Sequence, residues 1–341
     1  MNSINIKPHN NENEINSQNN YEDEENEIIL KEFEDSINYK YNQKGELINK
    51  KTSKKCQKLN PKEYELVCIY VKKYVENYLI KKFNLTTLYV PNKNMPTDFS
   101  IRDDTQAQCK ILTTKDFPTN PKCLLLIQGT GGVRLGQWSR SVCINENLDL
   151  GTMGPYIDKA IKNNLSVLIF NPNERNDFAF DKNKIEEFST MQKHCIYVYC
   201  NIIRTNPNIK EIYIVAHSKG GECAVELLIY NIDDLLGGKI KKIAFTDSAH
   251  GDNYKSLGSE GLQKFRQISR NYICSPKPAG TFIMGFETAK KGVSCYSSGH
   301  KKHEYTSGTA ILEVFKFLLS NDKKQKSKSI NKYKHKLNKY F

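Results

Sequence analysis

The stretch Glu211–Leu228, EIYIVAHSKGGECAVELL, is the feature that most restricts what this chain can fold into. Four apolar residues typical of a buried strand precede a turn with a serine, and a helix-forming segment follows. Within it, AHSKG (216–220) is a close variant of the G-x-S-x-G nucleophile elbow, a strained turn that exposes the serine above a parallel sheet. We expect Ala216 and Gly220 to pack against each other across this turn, and Gly221 to let the helix approach the strand. The five residues AHSKG also fit an ordinary strand–turn–helix of an α/β protein. Whether this turn is a nucleophile elbow must therefore be decided from the rest of the chain.

Strand-like and helix-like segments alternate on both sides of this stretch. The continuous apolar run CLLLIQ (123–128) is typical of a strand in a sheet that is covered on both faces. Further strands are predicted over 86–90, 166–170, 240–246, 272–274 and, as an edge strand, 294–297; helices are predicted over 154–163, 185–204, 258–269 and 309–320. This alternation predicts an α/β fold with a mostly parallel, doubly wound sheet and helices on both faces.

Two further elements are predicted upstream of this α/β region. The segment Gln43-Lys44-Gly45 separates two short strand-like runs and predicts a hairpin. Asn60 can cap a helix that begins at Pro61 and ends near Lys82. Apolar residues recur along this helix at three- and four-residue steps and predict one buried face, formed by Leu66, Ile69, Tyr70, Tyr74, Tyr78 and Leu79.

A serine, an aspartate and a histidine follow one another along the chain in the order that serine acyl-transfer enzymes of the α/β-hydrolase type use. That chemistry needs a hydroxyl, a base, a group that orients the base, and donors for the oxyanion. In α/β-hydrolases the residues follow in the order Ser, acid, His. Ser218 is followed by Asp247, just past the predicted strand 240–246, and by His303, in the loop before the last predicted helix. The order predicts Ser218, Asp247 and His303 as catalytic residues.

The acid has competitors. Asp247 could instead cap the turn that follows it through its own backbone. Asp252 and Glu287 are then the alternative acids that could orient the base.

The base has competitors as well, because His217, His250 and His300 also follow predicted strands. We expect His217 to point away from the elbow, and chain order favours His303. His217, His250 and Gln128 are predicted as possible pocket residues.

A glycine-rich turn, Gly129-Thr130-Gly131-Gly132, follows the first apolar strand and occupies the place of the first oxyanion donor. Its backbone N–H groups would act together with the N–H of Lys219, the residue after the serine. The turn also resembles a phosphate cradle, but no Lys-Ser/Thr follows at P-loop spacing, so we set nucleotide binding aside. The predicted oxyanion residues are therefore Gly129, Thr130, Gly131 and Lys219.

The two ends of the chain differ from its centre in composition and charge. Residues 1–35 are rich in Asn and Glu, with ten acidic residues against two lysines, whereas residues 321–341 hold eight lysines against one aspartate. Such segments bury too little apolar surface to offset the entropy lost on ordering. We predict a disordered leader over 1–35, a domain over 36–320 and a disordered tail over 321–341. The tail resembles a nuclear-import signal, a nucleic-acid contact or simply a solvated run of lysines.

Nothing in the sequence predicts a membrane anchor, a metal site or a cofactor. No apolar run reaches the roughly 18–20 residues that span a bilayer, and no apolar signal core begins the chain. We therefore expect a nuclear or cytoplasmic location. The ten cysteines lie mostly in apolar stretches, as reduced core residues do. No C-x-x-C and no Cys/His pair at zinc-ligand spacing occurs, so no structural zinc is predicted.

Several blocks of the chain, in order, resemble the Arb-two domain family, the argonaute-binding protein two group that includes animal cotranscriptional regulators. The resemblance covers about residues 36–320. Its blocks are YNQKGELINK (41–50), GTGGVRLGQWSRSVCINENLDLGT (129–152), LIFNPNE (168–174), IVAHSKGG (214–221), FTDSAH (245–250) and SSGHKKHEYTS (297–307).

This resemblance implies an α/β-hydrolase-like fold, with Ser218, Asp247 and His303 on the family's Ser, Asp and His blocks. It also implies association with Argonaute, small-RNA (siRNA) silencing, heterochromatin assembly and, in animals, regulation of splicing; a related domain is appended to some histone deacetylases. Gln128 stands where relatives carry His, and Lys219 where an aromatic residue is common. The relatives' long charged insertion after the LIFNPNE block is nearly absent. The animal members end in an endoplasmic-reticulum retention-like tetrapeptide, whereas this chain ends in NKYF (338–341).

Two classes of function follow from these observations. The first is a regulatory protein on a hydrolase-like fold that acts with nuclear RNA-silencing or chromatin partners. The second is a working serine hydrolase, an esterase or deacylase of unknown substrate. Direct RNA binding is a third possibility and rests only on the net charge of +13.

Overall fold

The computed structural model describes residues 37–56, 59–92, 99–100, 102–103, 108–174, 188–285 and 291–320. The predicted disordered leader and tail lie outside these residues. A sheet of nine strands forms the centre of the structure, and a separate two-stranded hairpin precedes it. Within the described residues, every helix is too short or too polar to cross a membrane.

The strands are numbered in chain order. The hairpin consists of β1 (Tyr39–Tyr41) and β2 (Leu47–Asn49), which pair antiparallel as predicted. The central sheet consists of β3 (Thr86–Val90), β4 (Cys109–Thr113), β5 (Lys122–Ile127), β6 (Ser166–Ile169), β7 (Glu211–His217), β8 (Ile240–Thr246), β9 (Ser269–Ile273), β10 (Phe282–Ile283) and β11 (Ser294–Ser297).

The helices are numbered in the same way. They are α1 (Pro61–Phe83), α2 (Arg140–Asn145), α3 (Leu148–Gly151), α4 (Gly154–Lys162), α5 (Met191–Val198), α6 (Lys219–Tyr230), α7 (Ile232–Leu236), α8 (Gly258–Ile268) and α9 (Thr306–Leu318). The first is capped as the sequence predicts, because Asn60 accepts from the N–H of Glu63 and the Glu63 carboxylate accepts from the N–H of Asn60. A π-helical turn, Tyr199–Ile203, continues α5.

The central sheet is mostly parallel. Its strand order is β10-β11-β9-β8-β7-β5-β6-β4-β3. The six strands from β11 to β6 are parallel to their neighbours, while β4 runs antiparallel to both β3 and β6, and β10 runs antiparallel to β11. This arrangement confirms the predicted α/β-hydrolase-like fold, and it brings the carboxyl ends of β5, β7 and β8 side by side.

Two apolar cores cover the two faces of this sheet. Helices α5, α6 and α8 pack on one face, and α1, α2, α4 and α9 pack on the other. Residues 123–127 of β5 are completely buried, as expected for a strand covered on both sides. The strands that carry the candidate site are therefore fixed from both faces.

The buried face of α1 differs from the prediction. Leu66 and Ile69 are 43% and 42% exposed, whereas Val67, Val71 and Val75 are fully or almost fully buried beside Tyr70 and Leu79. Apolar residues occur on all sides of this helix, so the periodicity fits more than one face. Packing against the hairpin and the sheet selects the face that is buried.

Three other elements also differ from the predictions. Strand β11 is not an edge strand, because β10 pairs with it on its outer side. The predicted helix over 185–204 begins at Met191, and its residues before 188 lie outside the described residues. Strand β4 was not predicted; its short sequence CKILT is followed by a turn that contains Asp116 and Pro118.

Candidate active site

Ser218 lies in a strained turn between β7 and α6. Its backbone has φ 52° and ψ −123°, a conformation that costs a non-glycine residue about 1–3 kcal/mol. Two backbone hydrogen bonds hold the turn against the end of β8: the N–H of Ser218 donates to Thr246 (3.1 Å), and the N–H of Ala249 donates to the carbonyl of Ser218 (3.0 Å). The side chain is half-buried, and its hydroxyl makes no hydrogen bond with any described residue. This is the geometry of a nucleophile elbow.

Glycines are required around Ser218 because neighbouring backbone and side-chain atoms leave no room for a Cβ at these positions. A Cβ at Gly129 would lie 2.9 Å from the Cβ of Ser218, and a Cβ at Gly220 would lie 2.5 Å from the carbonyl oxygen of Gln128. Gly220 is therefore small because α6 packs on the end of β5, rather than because it meets Ala216 as we expected. A Cβ at Gly221 would collide with the Ser248 side chain. The turn can therefore form only with these small residues.

The glycine-rich turn after β5 lies beside Ser218, and the side chain of a buried asparagine fixes it by hydrogen bonds. Asn173, which is completely buried, donates from Nδ2 to the carbonyl oxygens of Gly129 (2.8 Å) and Val133 (3.1 Å). Among the described residues, none accepts a hydrogen bond from the backbone N–H of Gly129, Thr130 or Gly131. Thr130 and Gly131 are also exposed, whereas Gly129 is buried.

Lys219 is the first residue of α6, where backbone N–H groups have no acceptor within the helix and the helix dipole is positive. Its side chain pairs with Glu222. The backbone N–H of Lys219 therefore has no acceptor within the helix, while its ammonium group pairs with a carboxylate one helical turn further on.

Asp247 follows β8 directly and is also in a left-handed conformation, with φ 47°. Its Oδ1 accepts from the N–H of Cys274 (3.2 Å), and its Oδ2 accepts from the thiol of Cys274 (2.7 Å) and from Nδ1 of His303 (2.7 Å). Burial alone would raise the pKa of Asp247, but the hydrogen bonds from His303 and Cys274 outweigh burial and lower it. The carboxylate is therefore ionised at neutral pH.

His303 begins a 3₁₀ turn, His303–Tyr305, that leads into α9. Because Nδ1 donates to a carboxylate, the neutral ring carries its proton there and leaves Nε2 as an acceptor. The side chain is 46% exposed. Within the described residues, Nε2 makes no hydrogen bond, including none to the Ser218 hydroxyl; catalytic bonds of this kind often tighten only when a substrate is bound.

His217 lies beside the site rather than pointing away from it. Its ring centroid is 4.7 Å from that of His303, and its Nδ1 donates to the carbonyl of Thr246 over 2.9 Å. Burial, followed by the neighbouring charge of His303, lowers the pKa of His217 to about 4. His217 is therefore neutral at physiological pH and lines the site as a fixed, uncharged ring.

The other two pocket candidates are buried in different ways. His250 stacks on Phe245 (4.8 Å), with its Nδ1 bonded to the Ser248 hydroxyl (2.6 Å) and its Nε2 to the carbonyl of Lys291 (2.7 Å), so both ring nitrogens are used by the fold. Gln128 is completely buried, and its side-chain amide has no partner among the described residues.

The alternative acids and bases lie elsewhere. Asp252 pairs with Lys255 at the surface (2.6 Å), and Glu287 lies outside the described residues. His300 stacks on Tyr305 with ring centroids 4.1 Å apart. Of the predicted site residues, the structure brings Asp247 and His303 into contact and places Ser218 at the neighbouring strand end.

Two residues of this site were missed by the sequence analysis. Cys274 is the second donor to Asp247, and Asn173 holds the glycine-rich turn. Cys274 ends the predicted strand 272–274, and Asn173 lies in the block LIFNPNE, but neither position alone indicates a contact with the site. One group of metal-ligand type occurs among the described residues: a donor atom each from Asp247, Cys274 and His303, all within 4.8 Å of one another.

Comparisons with known proteins identify the family of the chain. A family model described as the Arb2 domain matches residues 30–176 and 174–279. A cotranscriptional regulator ARB2A homolog of Dictyostelium discoideum is 31% identical, covering 86% of this chain and 80% of the relative. The human cotranscriptional regulator ARB2A is 28% identical, covering 83% and 79%. Among solved structures, a histone deacetylase from Saccharomyces cerevisiae is similar with a TM-score of 0.47 and 14% identity, covering 75% of this chain and 98% of that one.

Proposed function

Because the chain belongs to the Arb2 domain family, we propose that it is a regulator of this family that retains a serine acyl-hydrolase centre. Ser218 is the nucleophile, His303 the general base and Asp247 the group that orients the base. The substrate class is an acyl ester or amide, so the protein acts as an esterase or a deacylase.

The observation that carries this proposal is the Nδ1–Oδ2 hydrogen bond of 2.7 Å between His303 and Asp247, next to the strained Ser218. A histidine held in this tautomer presents its basic nitrogen away from the carboxylate. A scaffold needs neither a serine at positive φ nor a histidine oriented in this way. The two features together support acyl transfer.

The reaction follows the usual steps for such a site. Nε2 of His303 takes the proton of Ser218 as Oγ attacks the acyl carbonyl, and Asp247 stabilises the imidazolium that forms. The N–H groups near Gly129 and at Lys219 hold the oxyanion, where each donor contributes about 3 kcal/mol. His303 then returns the proton to the leaving group, and a water molecule, deprotonated in turn by His303, releases the acyl group from Ser218.

The test is covalent labelling of the full chain with a serine-reactive fluorophosphonate, followed by intact mass. We expect one adduct on the wild type and on Ser256→Ala, a change of an exposed serine, and none on Ser218→Ala. An adduct that persists in Ser218→Ala, or a well-folded wild type that never reacts, would exclude an activated Ser218.

A regulatory role without turnover is the second candidate. It is supported by the names of the relatives, which are cotranscriptional regulators, and by the absence of a Ser218–His303 hydrogen bond among the described residues. The partners proposed for this role are Argonaute-type and chromatin-associated proteins of small-RNA silencing and heterochromatin, reached in the nucleus. Co-precipitation of the tagged protein from nuclear and cytoplasmic fractions tests this, since recovery of such proteins equally well with Ser218→Ala would separate regulation from catalysis.

Direct RNA binding would depend on the excess of lysine. Binding to a small RNA that weakens steeply with salt would support it, because phosphate contacts release counterions. Binding that is absent, or that does not change with salt, would exclude it.

A further inference from the structure

The strongest feature left unused by the proposed chemistry is the thiol of Cys274. It is half-buried at the end of β9, and its Sγ lies 2.7 Å from Oδ2 of Asp247, the same oxygen that His303 contacts. A carboxylate in a serine-hydrolase centre needs one histidine partner, and the thiol of Cys274 is a second side-chain donor to the same oxygen. The cluster therefore has one more ligand-type atom than catalysis requires.

The three side chains form a donor set of defined chemistry. Thiolate sulphur, imidazole nitrogen and carboxylate oxygen are the three ligand types of protein zinc sites. Their donor atoms lie within 4.8 Å of one another. Two of these donors become anionic and one is neutral, so a bound divalent cation would have its charge fully balanced. We infer that Asp247, Cys274 and His303 form a binding site for a divalent cation of the zinc class.

The geometry needs only small movements to reach coordination. Tetrahedral zinc bonds of about 2.0–2.3 Å place neighbouring ligand atoms about 3.3–3.5 Å apart. The His303–Asp247 and Cys274–Asp247 pairs are now 2.7 Å apart, with a proton between each pair. The cation takes the place of both protons, and these two pairs open by less than about 1 Å. The third pair, Cys274 and His303, lies within 4.8 Å and closes by up to about 1.3 Å.

The site is accessible to an ion. His303 is 46% exposed, and Asp247 is 22% exposed. Water completes the coordination from the exposed side. Lys302 does not point at the cluster, because its ammonium lies over the ring of Tyr305, 5.6 Å from the centroid. Soft thiolate favours zinc over magnesium or calcium, which prefer oxygen ligands.

Occupancy by zinc and catalysis exclude each other. Coordination through Nδ1 of His303 requires its remaining proton to sit on Nε2, the atom that must accept a proton from Ser218. The thiol proton of Cys274 is released to solvent. This inhibition rests on the proposed hydrolase function, whereas the binding itself does not.

The test is titration of the full-length protein with cobalt(II), a spectroscopic substitute for zinc. We expect a near-ultraviolet thiolate-to-cobalt charge-transfer band that zinc chloride displaces. The band should be present in wild type and in Cys68→Ser, which changes another half-buried cysteine outside the cluster, and absent in Cys274→Ser. The zinc affinity of Cys274→Ser, measured by competition, should fall at least about tenfold.

Serine can keep the hydrogen bond to Asp247, so Cys274→Ser should remain folded, which circular dichroism checks. His303→Ala is a second variant and should lose the absorption of tetrahedral cobalt. No band in folded wild type, or a band that persists in folded Cys274→Ser, overturns the site. Zinc that protects wild-type Ser218 from fluorophosphonate adds the inhibitory link. If Ser218 never reacts, the hydrolase proposal fails while the cobalt band still decides the metal site.

Discussion

The side-chain amide of Asn173 donates to the carbonyl oxygen of Gly129 over 2.8 Å and thereby ties the loop after β6 to the glycine-rich turn after β5. The same nitrogen reaches Val133, on the far side of that turn. Since the turn is otherwise exposed at Thr130 and Gly131, this buried amide is its anchor. The N–H groups proposed to hold the oxyanion therefore depend on a residue that does not touch the substrate.

We predict that Asn173→Asp slows fluorophosphonate labelling of Ser218 at least about tenfold, because a misplaced donor loses most of its effect on the transition state. A carboxylate cannot donate, so the carbonyl of Gly129 loses its side-chain partner and that of Val133 keeps only Arg134. The free energy of unfolding should fall by about 1–3 kcal/mol. Asn164→Asp, the same change at an exposed position, is the control. Labelling at the wild-type rate in Asn173→Asp would show that the turn needs no anchor.

A second prediction concerns the three proposed catalytic residues, which should act as a unit. Ser218→Ala and His303→Ala should each reduce hydrolysis of a reactive small ester to a similar low level, and the double variant should be no slower. The Ser218 hydroxyl has no partner among the described residues, so thermal unfolding of Ser218→Ala should change little. His303→Ala should remain folded but unfold at a lower temperature, because Asp247 loses a hydrogen-bond donor. Losses that add in the double variant would show that the residues act independently.

Gly129→Ala should remove the activity through a steric effect on the nucleophile. The new methyl group would lie 2.9 Å from the Cβ of Ser218 and 3.3 Å from the carbonyl oxygen of His217. Relief of this overlap should displace the elbow and cost about 1–3 kcal/mol of stability. Thr130→Ala, one residue further on and exposed, keeps its backbone N–H and changes only the side chain, so it should label like wild type. Equal labelling of both variants would contradict the close approach of the two loops.

A fourth prediction follows from the buried His217. Its pKa is lowered to about 4 from the ordinary value near 6.5, so between these pH values the unfolded chain binds a proton that the folded chain does not. His217 therefore contributes a loss of stability as the pH falls from about 6.5 to about 4, worth about 3 kcal/mol in all.

His217→Asn removes this titration and keeps a donor for the carbonyl of Thr246. Urea unfolding at pH 7, 5.5 and 4 should show a smaller loss of stability on acidification than in wild type. His300→Asn, at a partly exposed ring stacked on Tyr305, serves as the control and should follow wild type. A parallel decline in wild type and His217→Asn would exclude His217 as the source.

The local sequence pattern was sufficient to predict those elements whose residue types are fixed by burial or by a strained turn. The run CLLLIQ and the AHSKG turn predicted β5 and the turn after β7, because buried strands and strained turns restrict side-chain type residue by residue. The order of Ser218, Asp247 and His303 stays a prediction of the catalytic residues. The same reasoning failed for α1, where apolar residues on every side left the buried face to be chosen by tertiary packing.

The supporting residues of the site could not be found in this way. Cys274 and Asn173 act on partners 27 and 44 residues away in the chain, through contacts that exist only once β5, β6, β8 and β9 are aligned. The spacing rules for zinc ligands also depend on neighbours in sequence, and Asp247, Cys274 and His303 come from three separate loops.

The adjacency of β8 and β9 has a consequence for how such a centre can change during evolution. His303 lies within reach of the ends of both strands, one bearing a carboxylate and the other a thiol. Two substitutions, Asp247→Asn and Cys274→Asp, would therefore move the carboxylate from the end of β8 to the end of β9 while His303 stays in place. A lineage that makes this exchange would keep the proposed proton relay and lose the thiolate ligand of the proposed zinc site, so acyl transfer there would no longer be inhibited by zinc.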